Sequence, residues 1–357
     1  MLSWLYGKIT NIRNSLYERG VLKTFPLGAA AISIGNITVG GTGKTPLVAF
    51  VAEILAEQGE KVCILTRGYG RENPRERVLV SDGEKILADV KKAGDEPFEL
   101  ANKLLGKAIV VADASRVAAA KWAKEKFKIT AFVLDDAFQH RRANRDLDIV
   151  LLDATNPFGN SKTLPFGILR EPLANLKRAD LIVITRANLV ENIADLKLQI
   201  TNLNPNCPIF TAENKISNLT QLEEFHVAEA QSSQRITTDH RPPTTDHYFA
   251  FCALGNPDNF FEQLKKEEFN LVATKKFPDH HRYTQAEVEK LETEAKQTGA
   301  EILLTTAKDA VKLTNLKFKL PCFIIENRLV FDDEKKLREM IRAVLNPKSQ
   351  ISNPKSI

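Results

Sequence analysis

The stretch "GNITVGGTGKTPLVAF", from Gly35 to Phe50, places four glycines and a Lys-Thr pair between two apolar segments. The preceding "AAAISIGN" is typical of a buried strand, and "TPLVAFVAEILAEQG" has the pattern of a helix that ends at Gly59. Between them, the glycines permit positive φ angles, so that main-chain N–H groups can surround an anion. The stretch therefore predicts a strand, a phosphate-binding loop and a helix in direct succession.

The Gly-Lys-Thr triplet at the end of this loop indicates a nucleoside triphosphate. A helix N-terminus carries partial positive charge, Lys44 would reach the β- and γ-phosphates, and Thr45 would hold Mg²⁺. The alternative is a plain turn between strand and helix with a fortuitous glycine cluster. We expect ATP to bind along the loop, at Thr38, Val39, Gly40, Gly41, Thr42, Gly43, Lys44 and Thr45.

Two positions of the loop narrow the class of enzyme. Thr38 stands where the usual pattern has a glycine, so the loop resembles the Gly-Gly-x-Gly-Lys-Thr variant of partitioning and metal-delivery ATPases. Many of those ATPases carry a lysine before the glycine pair, for use across a dimer. This chain has Val39 there, which argues against a dimer-activated ATPase.

Apolar strands alternate with helical segments along most of the chain, for example "KVCILTRGYG", "AFVLDD", "LDIVLLDA" and "DLIVITRAN". Continuous apolar strands separated by helices predict a parallel sheet that is covered on both faces. We therefore expect an α/β fold of the P-loop NTPase type, with helices on both faces of the sheet.

Length and a change of texture predict two domains. The 357 residues exceed one ordinary core, and "QSSQRITTDHRPPTTDH" before Tyr248 is rich in Ser, Thr and Pro. We expect an N-terminal helix over 1–23, a P-loop domain over 24–215, a linker over 216–247 and a smaller C-terminal α/β domain over 248–357.

The composition is that of a folded protein, with 43% apolar and 27% charged residues. The net charge of +5 is small, and no nucleic-acid partner is expected. The chain has no run of 18 apolar residues, so no membrane-spanning helix is predicted. The four cysteines form no C-x-x-C pair, which predicts free thiols in a reducing compartment.

The first 23 residues combine an apolar stripe with excess positive charge. Leu2, Leu5, Ile9, Ile12 and Leu16 recur at helical spacing, and four basic residues accompany a single acidic one. Two interpretations stay open: a helix docked on the core of the protein, or a helix lying in a membrane surface.

Two acidic residues end one of the buried strands, "AFVLDD". Asp135 or Asp136 would hold Mg²⁺ together with Thr45, because strand ends at this edge of a sheet carry such ligands. Neighbouring side chains of an extended strand point in opposite directions, so at most one of the two faces the loop while both are extended. The nearest guanine-recognition pattern, "TRAN", lacks its carboxylate, which favours ATP over GTP.

Seven segments in order identify a family: "GNITVGGTGKTP", "TRGYGR", "GDEPFELA", "LDDAFQHR", "REPLANLKRAD", "FPDHHRYT" and "TTAKDAVKL". Together they closely resemble tetraacyldisaccharide 4'-kinases of lipid A biosynthesis. The resemblance implies transfer of the γ-phosphate of ATP to the 4'-hydroxyl of an acylated disaccharide 1-phosphate, with Mg²⁺, at the cytoplasmic face of the bacterial inner membrane. It also implies that the smaller domain closes over the nucleotide, and it favours the membrane interpretation of the first helix.

The resemblance also implies roles for individual residues. Asp95 would be the catalytic base and His280 its partner, with Lys44 as the third catalytic residue; His281 is the weaker choice for the histidine. From the residues alone, Asp95 is a candidate N-cap of a helix. Candidates for substrate binding are Arg67, Tyr69, Glu96, Arg116, Gln139, His140, Arg170 and Glu171.

Two other functions are compatible with a P-loop. A nucleotide-switch ATPase or GTPase would act through a partner and would hydrolyse nucleotide slowly without an acceptor. A kinase of soluble small molecules would not need the first 23 residues. The sequence does not reveal the oligomeric state.

Overall fold

The structure is a computed structural model, and it describes residues 2–223, 247–279, 281–313 and 316–346. Within these ranges twelve strands form one sheet, in the order β10-β9-β11-β12-β8-β7-β6-β1-β5-β2-β4-β3. The strands are β1 Ala30–Asn36, β2 Val62–Thr66, β3 Val78–Ser81, β4 Ala108–Ala112, β5 Ala131–Asp135, β6 Leu147–Asp153, β7 Leu181–Thr185, β8 Ile209–Gln221, β9 Tyr248–Cys252, β10 Leu271–Lys276, β11 Ile302–Thr306 and β12 Cys322–Phe331.

Ten α-helices accompany the sheet in the described part of the chain. They are α1 Leu2–Glu18, α2 Lys44–Glu57, α3 Val90–Ala93, α4 Asp95–Lys103, α5 Arg116–Phe127, α6 Ile193–Leu203, α7 Pro257–Lys266, α8 Gln285–Gln297, α9 Ala307–Ala310 and α10 Glu334–Ala343.

Most neighbouring strands are parallel, and their side chains enter cores on both faces of the sheet. Ile32 and Ile34 of β1 pack in one core with α2, whereas Ala31 packs in another with α5. This alternation follows from the two-residue repeat of a strand. The prediction of an α/β fold with a parallel sheet covered on both faces is confirmed.

Two long strands join the two halves of the sheet. β8 runs parallel to β7 at its start and then pairs antiparallel with β12, from Ala212↔Phe331 to Gln221↔Phe323. We call β1–β7 with their helices the amino-terminal section, and β9–β12 with α7–α9 the carboxyl-terminal section.

The predicted domain boundaries differ from the observed elements in two places. Residues 216–221, predicted as linker, are the second half of β8, and residues 224–246 of the predicted linker lie outside the described ranges. α10, placed by prediction in the C-terminal domain, packs on α2: Leu337 and Ile341 share its core, and the Arg338 guanidinium donates to Glu57 at 2.9 Å. The last helix thus returns to the amino-terminal section.

Candidate active site

A cavity of about 970 Å³ opens where β1, β2 and β5 end, between the two sections of the sheet. The amino-terminal section contributes the loop after β1, and the carboxyl-terminal section contributes the turns after β9 and β11. Ligands of open α/β sheets bind at this edge because the carboxyl ends of parallel strands and the helix N-termini converge there.

The loop after β1 has the backbone that its glycines predict. Gly40 and Gly43 have φ angles of 107° and 80°, and Gly43 precedes the first residue of α2, Lys44, without a side-chain cap. The first N–H groups of a helix have no partner within the helix. Gly35 serves a different purpose, because a Cβ there would lie 2.6 Å from the backbone nitrogen of Phe138.

Side chains from β1 and from the end of β7 fix the shape of this loop. The Asn36 amide donates to the Thr42 hydroxyl at 3.1 Å, and the Thr185 hydroxyl donates to the Thr42 carbonyl at 3.0 Å. Arg186 donates to the Gly41 carbonyl at 3.0 Å and also pairs with Asp153. Hydrogen bonds from the protein itself therefore hold the phosphate-binding loop in this shape.

Lys44 and Asp136 meet inside the cavity. The Lys44 ammonium lies 3.5 Å from Asp136 Oδ1, and Arg170 Nη1 donates to both oxygens of this carboxylate at 2.8 Å. Burial opposes ionisation of Asp136, but these two cations lower its pKa below the ordinary value. Asp136 is therefore an ionised carboxylate beside the lysine.

Asp135 and Asp136 both line the cavity, although only one was expected to face it while both were extended. Asp136 has a φ of 49° and is therefore not extended. Asp135 ends β5 and accepts a hydrogen bond from the Thr66 hydroxyl at 2.9 Å. The left-handed backbone at Asp136 thus allows its carboxylate to face the same cavity as that of Asp135.

The electrostatics of Asp135 fit a nearby divalent cation. Burial, followed by the negative charges of Glu96 and Asp136, raises the pKa of Asp135 to about 7. A hard cation such as Mg²⁺ prefers oxygen ligands and would offset this excess of negative charge. Among the described residues no three His, Cys, Asp or Glu side chains are arranged to hold a metal ion by themselves, so phosphate oxygens or water would have to complete such a site.

Asp95 is the first residue of α4, and Gly94 occupies the N-cap with a φ of 89°. The interpretation of Asp95 as the N-cap is therefore wrong, because the glycine makes the sharp entry into the helix. A carboxylate in the first turn is still stabilised by the helix dipole. Asp95 adjoins the cavity through Glu96, which lines it. His280, its predicted partner, lies outside the described residues.

Most residues predicted to bind substrate lie around one cavity. Those that line it are Arg67, Tyr69, Glu96, Arg116, Gln139, His140 and Arg170. Glu171 does not: it is 2% exposed and binds Arg178, Gln139 and Asn14 of α1. Of the loop residues predicted to bind ATP, Val39 to Thr45 line the cavity, whereas Thr38 is buried and does not. Glu171 and Thr38 support the wall of the cavity.

The wall around His140 is strongly basic. Burial, followed by the charges of Arg116 and other arginines, lowers the pKa of His140 to about 4, so the imidazole is neutral near pH 7. Arg116 is 2% exposed and donates to the backbone carbonyls of Asp113 and Asp135. Fixed positive charge in a cavity of this kind suits an anionic ligand.

Several polar residues around the cavity were not predicted. Arg13 of α1 lines it and donates to the Gln139 carbonyl at 3.1 Å. Glu99 lines it too, and burial raises its pKa to about 7. Lys308 and Lys312 belong to "TTAKDAVKL", one of the seven family segments, so the signal for them was present but unused. Glu99 belongs to "GDEPFELA", another of these segments, whereas nothing in the spacing of Arg13 singles it out.

Comparison with known proteins agrees with this geometry. The model of the family described as tetraacyldisaccharide-1-P 4'-kinase matches residues 1–346. The tetraacyldisaccharide 4'-kinase of Desulfotalea psychrophila is 37% identical over 324 residues, or 90% of this chain and 89% of the relative. That of Halothermothrix orenii is 37% identical over 322 residues, or 88% and 82% of the two chains.

A solved structure shares the whole fold. The "apo" form of LpxK from Aquifex aeolicus, crystallised in complex with ATP, is similar with a TM-score of 0.74 and 31% identity. The similarity covers 96% of this chain and 97% of that one. With the family match over nearly its full length, the chain belongs to the tetraacyldisaccharide-1-P 4'-kinase family.

Proposed function

We propose that this protein transfers the γ-phosphate of ATP to the 4'-hydroxyl of a tetraacylated disaccharide 1-phosphate, which gives lipid IVA. The observation that carries the proposal is one cavity that joins a phosphate-binding loop to the acidic start of α4. The names of the relatives support the disaccharide as the phosphate acceptor, and the ATP complex of the Aquifex relative supports ATP as the phosphate donor.

The residues divide the work of phosphate transfer. The main-chain N–H groups of the loop and the Lys44 ammonium bind the β- and γ-phosphates and neutralise charge as it develops. Asp95 orients the sugar hydroxyl for in-line attack on the γ-phosphate and accepts the proton of this hydroxyl. Mg²⁺, held by Thr45 with Asp135 or Asp136, supplies further charge neutralisation when bound.

The carboxyl-terminal section excludes water from this reaction. The turn after β9 lies over the phosphate loop, since a Cβ added at Gly255 would be 3.7 Å from the backbone nitrogen of Gly41. Covering the phosphates in this way suppresses transfer to water, which would waste ATP. The nucleotide-switch alternative has no use for the acidic helix start beside the loop.

The first helix presents its apolar side to solvent. Trp4, Ile9 and Ile12 are 63%, 57% and 59% exposed, whereas Gly7 and Asn14 are buried against the protein. The docked face is hydrogen-bonded instead, for example from the Asn14 amide to Glu171 at 3.0 Å. An apolar helix face rimmed by Lys and Arg is typical of a helix that lies in a membrane surface.

We propose that α1 binds this protein to the cytoplasmic face of the inner membrane, where the enzyme can reach its acylated substrate. No helix among the described residues is long and apolar enough to cross a bilayer. Phe166 extends the apolar surface: it is 61% exposed, and its backbone N–H donates to the Ser3 hydroxyl at 3.1 Å.

Replacing Ile9 and Ile12 together by serine should weaken binding to anionic phospholipid vesicles by about 30-fold, because two apolar side chains no longer enter the bilayer. Vesicle co-sedimentation measures this, and the affinity for ATP should not change. Leu198→Ser is the matched control, since Leu198 on α6 is 60% exposed but far from α1 in the chain. Undiminished vesicle binding by the double variant would contradict the membrane role of α1.

The activity itself is tested with labelled ATP, Mg²⁺ and acylated disaccharide 1-phosphate in detergent micelles. We expect label in the lipid, and chelation of the metal should abolish the transfer. Release of free phosphate without labelled lipid would favour the nucleotide switch and reject the kinase. A disaccharide 1-phosphate without acyl chains separates recognition of the sugar from the effect of the membrane surface.

A further inference from the structure

An ammonium from the carboxyl-terminal section reaches the start of α4. Lys312 Nζ lies 3.7 Å from Asp95 Oδ2 and 3.3 Å from Asp309 Oδ1. The Lys312 side chain is only 4% exposed. A lysine almost never becomes this buried unless it is paired, which accounts for its place between two carboxylates.

Asp309 fixes the position of Lys312. This carboxylate is fully buried, and it accepts hydrogen bonds from the Thr306 hydroxyl at 2.8 Å and from the Ala253 backbone at 3.1 Å. The Tyr283 hydroxyl donates to it at 3.1 Å, and burial raises the pKa of this phenol, which therefore stays a donor. With these donors in place, Asp309 is held rigidly, and Lys312 is held with it.

The contact with Asp95 has a different character. At 3.7 Å it is longer than a hydrogen bond, so the ammonium stabilises negative charge without closing on the oxygen. The other charged residues nearby differ between the two sections. α4 contributes Glu96 and Glu99, whereas the carboxyl-terminal section contributes Lys308, which pairs with Asp279 at 3.0 Å. Opposite charges therefore face each other where the sections meet.

We propose that Lys312 is a positioning residue that holds the Asp95 carboxylate, from across the sections, in the orientation used for phosphate transfer. This inference rests on the proposed function, in which Asp95 accepts the proton of the sugar hydroxyl. Because Lys312 is tied to Asp309, the carboxylate is held in this way only when the carboxyl-terminal section is seated against α4. Lys312 thereby links the covering of the site to the readiness of its base.

The test compares Lys312→Met with the wild type in the micellar assay. We expect kcat to fall about 30-fold, while KM for ATP changes less than about twofold, because the lysine acts through the base and not on the nucleotide. Lys312→Arg, which keeps the charge, should recover most of kcat. Lys275→Met is the matched control: it breaks an ion pair with Glu294 in the same section, away from α4, and should leave kcat unchanged.

A double-mutant cycle isolates the path of the effect. If Lys312 acts through Asp95, then Lys312→Met should cost less than about twofold in the Asp95→Asn background. A full 30-fold loss in that background would overturn the inference, as would an undiminished kcat for Lys312→Met alone. Undiminished transfer by Asp95→Asn itself would instead refute the role of Asp95 in the proposed function.

Folding of the variants is checked by thermal unfolding. Lys312→Met leaves Asp309 without its cation, so Lys312→Gln, which can still donate a hydrogen bond to Asp309, is measured beside it. A soluble, folded Lys312→Gln with kcat reduced at least tenfold supports the inference. A folded Lys312→Gln with the kcat of the wild type overturns it, whatever the stability of the methionine variant.

Discussion

Replacing Lys44 by methionine should lower kcat/KM for lipid phosphorylation by about 10³-fold, because the ammonium that neutralises the β- and γ-phosphates is lost. Methionine keeps most of the length of the side chain and removes only the charge. ATP should also bind about tenfold more weakly, which equilibrium titration with Mg²⁺ and ATP measures. The fold should persist, because Arg170 still binds both oxygens of Asp136 when Lys44 is gone.

The matched control for this variant is Lys107→Met. Lys107 also pairs with a residue of α2, Glu53 at 2.7 Å, but on the outer surface and away from the phosphate loop. It should transfer phosphate at the wild-type rate. Full activity of Lys44→Met would mean that the loop does not hold the transferred phosphate, and the proposed function would then have to be abandoned.

The sequence predicts best what is encoded locally. The strand, loop and helix around "GNITVGGTGKTPLVAF" occur as β1, the phosphate-binding loop and α2. This helix ends at Glu57, two residues before Gly59. The apolar alternation and the glycines act over a few residues, so no tertiary context overrides them. α5 likewise begins with a local signal, since the Ser115 hydroxyl at its N-cap accepts a hydrogen bond from the Ala118 N–H.

The joining of the two sections was beyond local reasoning. β8 pairs with β12 across more than 100 residues, and neither segment differs in pattern from an ordinary strand. The return of α10 to α2 likewise depends on contacts such as that of Arg338 with Glu57, which no spacing in the sequence reveals. Long-range pairing therefore explains why residues 216–221 extend β8 and why α10 packs on the amino-terminal section.

Single backbone angles decided the geometry of the site. The sequence argument on Asp135 and Asp136 was conditional on extended backbone, and the φ of 49° at Asp136 removed the condition. Likewise Gly94, and not Asp95, carries the unusual angle at the start of α4. A residue in the left-handed region is uncommon for a non-glycine, so residue types alone do not indicate it.

The first helix shows what periodicity can and cannot predict. Of its predicted stripe, Leu2, Leu5, Ile9 and Ile12 are exposed and Leu16 is half-buried; periodicity does not say which face meets the protein. The answer depended on tertiary contacts: Gly7 is buried beside Thr163 and Pro172, and the Asn14 amide donates a hydrogen bond to Glu171. The polar face is docked, and the apolar face is left for another partner.

Replacing Asp95 by asparagine should lower kcat for lipid phosphorylation by about 10³-fold, the range expected when a proton acceptor is removed. The amide keeps the size of the side chain and its place in the first turn of α4, but it cannot take up the proton of the sugar hydroxyl. The affinity for ATP should change less than about threefold, because the phosphates are held by the loop after β1. Initial rates with labelled ATP and titration of the same preparation measure the two effects together.

Asp89→Asn is the control that separates chemistry from folding. Asp89 caps α3 by accepting from the Lys92 N–H at 2.9 Å, and asparagine caps a helix as well as aspartate does. The same chemical change six residues upstream, outside the cavity, should therefore leave both kcat and stability intact. If Asp95→Asn transferred phosphate as fast as this control, the proton of the sugar would have to leave by another route, and the acidic start of α4 would have no part in the reaction.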